Sequence, residues 1–253
     1  MIRLNPFRVT LRLAFLLAVL HTPAATGDPV AGGPAPDVLG ISLGMTPEEV
    51  RAAFKATGLP FQLSEVKTTI EDLPGEPFLG SIHGRRQGGD SRQDQVLVNF
   101  SAPPNPLRVV MVTRIIDYAA DKGPLKLDVA AALEGKYGSA RQRRDRPHGI
   151  DMSWILTPAG IPVLDKNTRC PMPHFSPDPQ GHIFFAGLTI EDGCGLSVGA
   201  VVDASNFSHP TLASALWVSL VNYDELWKQI EKTQGYIAGK VQDAGKARGT
   251  PQL

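Results

Sequence analysis

The chain has 253 residues, 42% hydrophobic and 20% charged, which is typical of a globular protein with a sizeable core. Its 25 basic and 25 acidic residues balance, and this excludes the strongly basic composition of most nucleic-acid-binding domains. One short basic cluster alternates with polar residues, as on the solvated side of a strand, with a phosphate or anionic-glycan site as the alternative. It consists of Arg141, Arg143, Arg144 and Arg146.

The amino-terminal segment 1–27 has the pattern of a cleavable signal peptide. Three arginines precede an apolar run, Leu13–Leu20, and small residues at Ala25 and Gly27 suit signal peptidase. The run is shorter than the ~20 residues that span a bilayer, and no cysteine near the cleavage point offers a lipid attachment site. We therefore expect a periplasmic or secreted protein without a membrane anchor, starting with a flexible Pro-rich and Gly-rich segment at 28–37.

Cys170 and Cys194 are the only two cysteines. In an oxidising compartment an isolated pair predicts one disulfide. A metal site is the alternative, because His174 and His182 lie between the cysteines and Asp192 precedes Cys194 closely. The spacing matches none of the common zinc patterns, so we expect no metal and no other cofactor.

The first helix is indicated by a dense set of local signals. Thr46 is placed as N-cap, Pro47 occupies the first helical position, and Glu49 completes a capping box. Gly58 and Pro60 then end the helix.

After this helix, short segments rich in β-branched and aromatic residues predict antiparallel strands. Gln95–Phe100 alternates between apolar and polar residues, and Arg108–Tyr118 is expected to pair with it as a hairpin across a proline-rich turn. The polar, Gly-rich stretch 83–95 is expected to be an exposed loop.

A second helix is predicted over Leu125–Tyr137, with Gly138 just past its end. Aligning Val129 with Val50 matches several positions of the two helices. An internal duplication and chance similarity between two alanine-rich helices both account for this match.

Later strands complete the sheet or form a second one. They are predicted at Met152–Leu156, His182–Ile190, Leu196–Asp203 and Ala215–Val221. The order of elements indicates an α+β fold with antiparallel sheet and flanking helices. It favours two tandem helix-plus-sheet halves, 38–120 and 121–253, in one domain or two.

A third helix closes the chain, with Asn222 as its N-cap and Glu225 three residues on. Apolar residues at helical spacing form a stripe that we expect to be an interaction surface for a partner. The stripe comprises Leu226, Ile230, Ile237 and Val241.

The segment GISLGMTPEEVRAAF, residues 40–54, resembles the opening of small outer-membrane-assembly lipoproteins. The whole arrangement, with a second helix ending in KYG, is similar to uncharacterised exported proteins of proteobacteria. The resemblance implies a protein of the cell envelope. The chain departs from the lipoproteins in its greater length and in lacking the lipid-bearing cysteine.

No motif in the sequence defines catalytic chemistry. Gly195–Gly199 fits the G-x-S-x-G pattern around Ser197, but the alternation of Leu196, Val198 and Ala200 predicts a continuous strand. A nucleophile elbow needs a strand, a sharp turn and a helix. There is no phosphate-binding loop for a nucleotide, and the histidines are scattered, so we assign no catalytic residue.

Two classes of function follow from these observations. The first is a non-catalytic binding or protein-interaction module of the cell envelope, acting on a small ligand or an envelope protein. The second is a secreted hydrolase or metal-dependent enzyme, with its catalytic groups gathered from distant loops. The absence of a catalytic motif favours the binding module.

Overall fold

The computed structural model describes residues 35–70, 77–89, 91–157, 160–163, 194–206 and 208–247. Within these ranges there are ten strands and three helices. In chain order they are β1 (Asp37–Val38), β2 (Ile41–Ser42), α1 (Pro47–Ala56), β3 (Gln62–Thr68), β4 (Phe78–Gly88), β5 (Ser91–Phe100), β6 (Val109–Tyr118), α2 (Lys126–Tyr137), β7 (Gln142–Arg146), β8 (Gly149–Leu156), β9 (Leu196–Asp203), β10 (Ala215–Asn222) and α3 (Tyr223–Ala247). The segment 1–27, predicted to be a signal peptide, and the strand expected at 182–190 lie outside the described residues.

Eight strands form a single antiparallel sheet in the order β3-β4-β5-β6-β10-β9-β8-β7, and β1 pairs with β2 separately. Helix α1 is followed by the meander β3–β6, and α2 by the meander β7–β10. The last strands of the two meanders pair at the centre of the sheet, with Trp217 opposite Ile115. The predicted antiparallel sheet, flanking helices and C-terminal helix are confirmed, although the sheet dominates and makes the fold mainly β.

Helix α1 begins as its local signals predict. Thr46 Oγ1 accepts a hydrogen bond from the Glu49 amide at 3.2 Å, and Glu49 Oε2 accepts one from the Thr46 amide at 2.7 Å. The reciprocal pair satisfies two amide groups that the first turn leaves without helical partners.

The main hydrophobic core lies between one face of the sheet and the elements α1, α2 and β1–β2. Helix α1 approaches β4 closely because Gly84 has no side chain: a Cβ there would lie 2.5 Å from Phe54 Cε1. Helix α2 is fixed near its end, where Trp154 Nε1 donates to the Gly138 carbonyl oxygen at 2.8 Å. Tyr137 Oη donates to the Asp37 carbonyl oxygen at 2.7 Å, which ties α2 to β1.

Residues 83–88 belong to β4 and residues 91–95 to β5, so the prediction that 83–95 is an exposed loop is wrong. The one buried charge of this stretch is satisfied within the sheet. The buried carboxylate of Asp94 accepts from Arg86 Nε at 2.8 Å and from Arg114 Nε at 3.0 Å. This charge-rich sequence therefore forms strands, because Arg86 on β4 and Arg114 on β6 supply the charges opposite to Asp94 on β5.

Helix α3 packs on the opposite face of the sheet. Met111 belongs to the cluster of buried residues that α3 contacts, whereas Val112 belongs to the main core. This is expected of consecutive strand residues, which point to opposite faces of a sheet. Leu226 is buried in this second cluster, and Ile230 packs against it. No helix within the described ranges is both long and apolar enough to cross a bilayer.

Candidate functional site

A cleft of about 510 Å³ lies between the first half of α3 and the loop that joins β5 to β6. Its volume falls within the range of about 300–1,000 Å³ that is typical of small-ligand sites. The segment between β2 and α1 contributes the remaining wall through Leu43 and Gly44.

The start of α3 is held in place by its cap and by a contact with the residue that precedes β9. Asn222 Oδ1 accepts from the Glu225 amide at 3.1 Å, as the sequence predicts for the N-cap. The Tyr223 amide donates to the Gly195 carbonyl oxygen at 2.8 Å. The Tyr223 side chain is fully buried, and this burial raises its pKa. The helical wall of the cleft therefore begins at a buried and hydrogen-bonded position beside β9.

Asn105 joins the loop wall to the helical wall. Its Nδ2 lies 3.0 Å from the Ala102 carbonyl oxygen, 3.1 Å from the Gln229 carbonyl oxygen and 3.1 Å from Thr233 Oγ1. The first contact shapes the loop and the other two reach α3. One side chain thus contacts both walls and helps to set their spacing.

The floor of the cleft is apolar. The buried residues Val110 and Leu226 form it, and the other apolar residues of the lining are Leu43, Pro106 and Val109. The Gly44 amide donates to the Val109 carbonyl oxygen at 2.8 Å, so the floor is continuous with β6.

Three cationic side chains line the cleft against one acidic residue. Arg108, Lys228 and Lys232 are exposed at its border, together with Glu225. In the described part of the chain, none of the three cations forms an ion pair. Their charge is therefore directed at solvent and at whatever enters the cleft.

Gln229 lines the same wall, and its side-chain oxygen is shielded from solvent. Its Nε2 donates to Glu225 Oε1 at 3.4 Å, whereas its Oε1 is buried and has no hydrogen-bond partner among the described residues. A buried acceptor without a partner costs about 1–3 kcal/mol. The amide is thus incompletely satisfied within the described structure.

The predicted interaction stripe on α3 divides between interior and surface. Leu226 is only 5% exposed, and Ile230 packs beside it against the sheet. Ile237 is partly buried, and Val241 is 51% exposed. The first half of the stripe is therefore used inside the protein, and only its far end offers an open surface.

The predicted disulfide lies partly outside the described residues. Cys194 is fully buried just before β9, whereas Cys170 is not among the described residues, and neither are His174, His182 and Asp192. The disulfide and its metal alternative therefore stay predictions. In the part of the chain that is described, no three His, Cys, Asp or Glu side chains gather as a metal site.

Ser197 of the G-x-S-x-G match lies inside β9, which runs on without a turn. It is 2% exposed, and its Oγ donates to the Cys194 carbonyl oxygen at 2.7 Å. The geometry is that of a strand serine and lacks the turn of a nucleophile elbow.

A group of buried polar side chains occupies the sheet face that carries α3. Ser81 Oγ lies 3.0 Å from His83 Nε2, and Asn99 stands opposite Ser81 on the neighbouring strand. Burial, and to a lesser degree the charge of Arg85, lowers the pKa of His83. Ser81 has no exposed surface, so this pair has no access for a substrate.

The basic cluster lies on and beside β7, at one end of the sheet order in the described residues. Arg143, Arg144 and Arg146 are exposed, in agreement with the solvated strand face that the sequence predicts, whereas Arg141 is buried. Arg143 pairs with Glu134 at 3.4 Å, and part of the cluster is thus neutralised locally.

The cleft itself was not evident in the sequence. Lys228 and Lys232 are spaced as on any solvated helix face, and Asn105 sits in a proline-rich turn 124 positions from Gln229. The only local signal was the N-cap at Asn222, which located the start of α3 but not the β5–β6 loop that forms the other wall.

Comparisons with known proteins give this chain no relative. No protein-family model matches it, and no match was found among curated proteins or solved structures.

Proposed function

We propose that this protein is a non-catalytic binding protein of the cell envelope, and that the cleft beside α3 holds an anionic ligand with an apolar part. The observation that carries this proposal is the combination of an apolar floor with three border cations that have no ion pair within the described residues. Ligand sites of proteins commonly have this composition, with mostly apolar walls and a few placed polar groups.

The two parts of the cleft select for different parts of a ligand. Apolar surface that leaves water against Val110 and Leu226 contributes about 25 cal/mol per Å². The cations at 228 and 232, one helical turn apart on α3, attract a carboxylate or another anionic group. Because these lysines are exposed, salt weakens this attraction.

Export is the second part of the proposal. The order of arginines, apolar run and small residues over 1–27 supports cleavage of a signal peptide and release into the periplasm or outside the cell. Expression of the full chain, followed by intact-mass measurement of the exported protein, tests this part. A mature protein that still carries the segment 1–27 contradicts it.

The two halves of the chain are proposed to be tandem repeats. Each consists of a helix followed by a four-stranded meander, and the meanders join through the pairing of β6 with β10. This correspondence supports a common origin, as does the match between the two helices when Val50 is aligned with Val129.

Binding is tested with anilinonaphthalene sulfonate, a dye that is both apolar and anionic, and with dodecanoate as its competitor. We expect the dye to bind the wild-type protein and dodecanoate to displace it. The double variant Lys228→Glu/Lys232→Glu should weaken binding at least tenfold. The control Lys67→Glu/Lys122→Glu makes the same change of net charge at exposed residues that do not line the cleft. Equal loss in both variants would remove the cleft from the proposal.

A further inference from the structure

We propose that the ligand of the cleft carries several anionic groups, and that these groups bind a row of cations that continues along α3 beyond the cleft. This inference rests on the proposed function and narrows it from an anionic amphiphile to a polyanionic one. It is carried by the exposed lysines Lys228, Lys232 and Lys240, none of which forms an ion pair within the described residues.

The three lysines and Tyr236 follow one another at intervals of four residues on α3. Side chains four residues apart are neighbours on the surface of a helix, so these four residues form one continuous ridge. At a rise of about 1.5 Å per residue, the ridge is about 18 Å long from Lys228 to Lys240. Lys228 and Lys232 line the cleft, whereas Tyr236 and Lys240 lie beyond it.

The positive charge of this ridge has no counter-charge within the described structure. Lys228 and Lys232 are like charges four residues apart, an arrangement that by itself destabilises a helix. Glu231 is the one acidic residue between positions 228 and 240, and it forms no ion pair among the described residues. Its Oε1 instead accepts from Trp227 Nε1 at 3.0 Å. Arg108 adds a further cation from the opposite wall, so several anionic groups are needed to balance the charge.

Tyr236 and Lys240 extend the site towards the end of α3. Lys240 Nζ lies 5.5 Å from the centre of the Tyr236 ring, a cation–π contact that holds the ammonium group beside the ridge. This ammonium group has three N–H donors, and none of them forms a hydrogen bond with a described residue. The ridge therefore presents a positioned cation about 12 Å beyond Lys232.

The length of the ridge separates the classes of anionic amphiphile. A fatty acid has one carboxylate, which reaches the cations at the cleft but leaves Lys240 without a partner. An amphiphile with several anionic groups along its headgroup can place its apolar part on Val110 and Leu226 and pair with the lysines in succession. The cleft of about 510 Å³ has room for the apolar part of one such molecule, so the occupant is a single amphiphile and not a bilayer surface.

The test uses two compounds of the same length and shape that differ in charge. N-dodecanoyl-Glu-Glu-Glu carries a carboxylate on each side chain and one at its end, whereas N-dodecanoyl-Gln-Gln-Gln carries only the one at its end. We expect the wild-type protein to bind the first about tenfold more tightly at low salt, measured by displacement of the anionic dye. Salt should reduce this preference, because the lysines are exposed.

Lys240→Gln tests the part of the ridge beyond the cleft. It should reduce the preference for the Glu compound about threefold and leave the binding of dodecanoate unchanged, because Lys240 does not line the cleft. Lys122→Gln is the matched control, since it removes one exposed lysine outside both the cleft and the ridge. Comparison of urea midpoints verifies that both variants are folded.

Each result has a distinct meaning. Equal binding of the two compounds by the wild type, together with dye binding that depends on Lys228 and Lys232, overturns the role of the ridge and leaves the proposed function standing. An equal loss of preference in Lys240→Gln and Lys122→Gln also overturns it, because the effect would then come from net charge alone. Sedimentation with phosphatidylglycerol vesicles, without binding of either dispersed compound, would contradict the single amphiphile in favour of a membrane surface. Failure of the dye, dodecanoate and both compounds to bind overturns the proposed function itself.

Discussion

Asn105 Nδ2 lies 3.1 Å from the backbone carbonyl oxygen of Gln229, a contact between a loop and a helix 124 positions apart in the chain. It holds together the two walls of the cleft on which the proposed function rests. The same nitrogen also reaches Thr233 Oγ1, so two successive turns of α3 are tied to the β5–β6 loop. The shape of the site is thus set by one side chain as well as by the packing of Leu226.

Replacing Asn105 by alanine tests this connection. We expect a loss of about 1–2 kcal/mol in the free energy of unfolding, because the contacts to α3 and to the Ala102 carbonyl oxygen disappear. Binding of the anionic dye should weaken severalfold, because the walls are no longer held at a fixed distance. Urea unfolding and dye titration measure the two effects separately. A variant that unfolds and binds like the wild type would show that the loop is positioned by other contacts.

Removing either partner of the α1 capping box should lower the free energy of unfolding modestly, and the two losses should be coupled. Thr46→Ala should lower the free energy of unfolding by about 1 kcal/mol, since the Glu49 amide loses its acceptor. Glu49→Ala should lose part of the same amount, because the two residues cap each other. A double-mutant cycle in urea measures the coupling. Strict additivity of the two changes would contradict the reciprocal geometry.

Removing the buried carboxylate of Asp94 should lower the free energy of unfolding much more than removing the capping box. Asp94→Asn removes the charge that pairs with Arg86 and Arg114, which leaves two partly buried guanidinium groups without an anionic partner. We expect a loss of about 3 kcal/mol in the free energy of unfolding. Asp145→Asn is the matched control, because Asp145 is exposed and pairs with Arg143 at 3.3 Å. Its expected loss is below about 0.5 kcal/mol, and similar losses in the two variants would argue against a buried ion pair.

His83 predicts a dependence of stability on pH. Burial lowers its pKa in the folded protein, so near and below pH 6.5 the unfolded chain binds the proton more readily than the folded chain. The free energy of unfolding should therefore fall as the pH falls below about 6.5, with a slope of at most about 1.4 kcal/mol per pH unit from this residue. His83→Gln should flatten this part of the curve, measured by urea unfolding between pH 5 and 7. An unchanged slope in the variant would assign the dependence to other groups.

The cysteine pair predicts a redox dependence of stability. If Cys170 and Cys194 form a disulfide, exported protein should contain no free thiol and should weigh two protons less than the reduced form. Reduction should then cost about 3 kcal/mol of folding stability in the chain-entropy estimate. Thiol titration and intact mass check the bond. Two reactive thiols would contradict the disulfide. A bound metal ion would favour a metal site in this segment instead.

What the sequence predicted correctly depends on local signals. Helix α1 is defined by Thr46, Pro47 and Glu49 within one turn, and the structure has the capping box at these residues. The β4–β5 hairpin was not foreseen, because its polarity is explained only by the ion pairs of Asp94 with residues on β4 and β6. The cleft depends on residues far apart in the chain and could not be found from spacing or periodicity.

The most direct test of the account is an amide NMR titration of the protein with dodecanoate, which follows the whole backbone and therefore locates the ligand. We predict saturable shift changes concentrated in the β5–β6 loop and in α3 from Asn222 to Lys232, and their loss in Lys228→Glu/Lys232→Glu. Changes confined to another surface, or no saturable changes at all, would contradict the claim that this cleft binds anionic ligands with an apolar part.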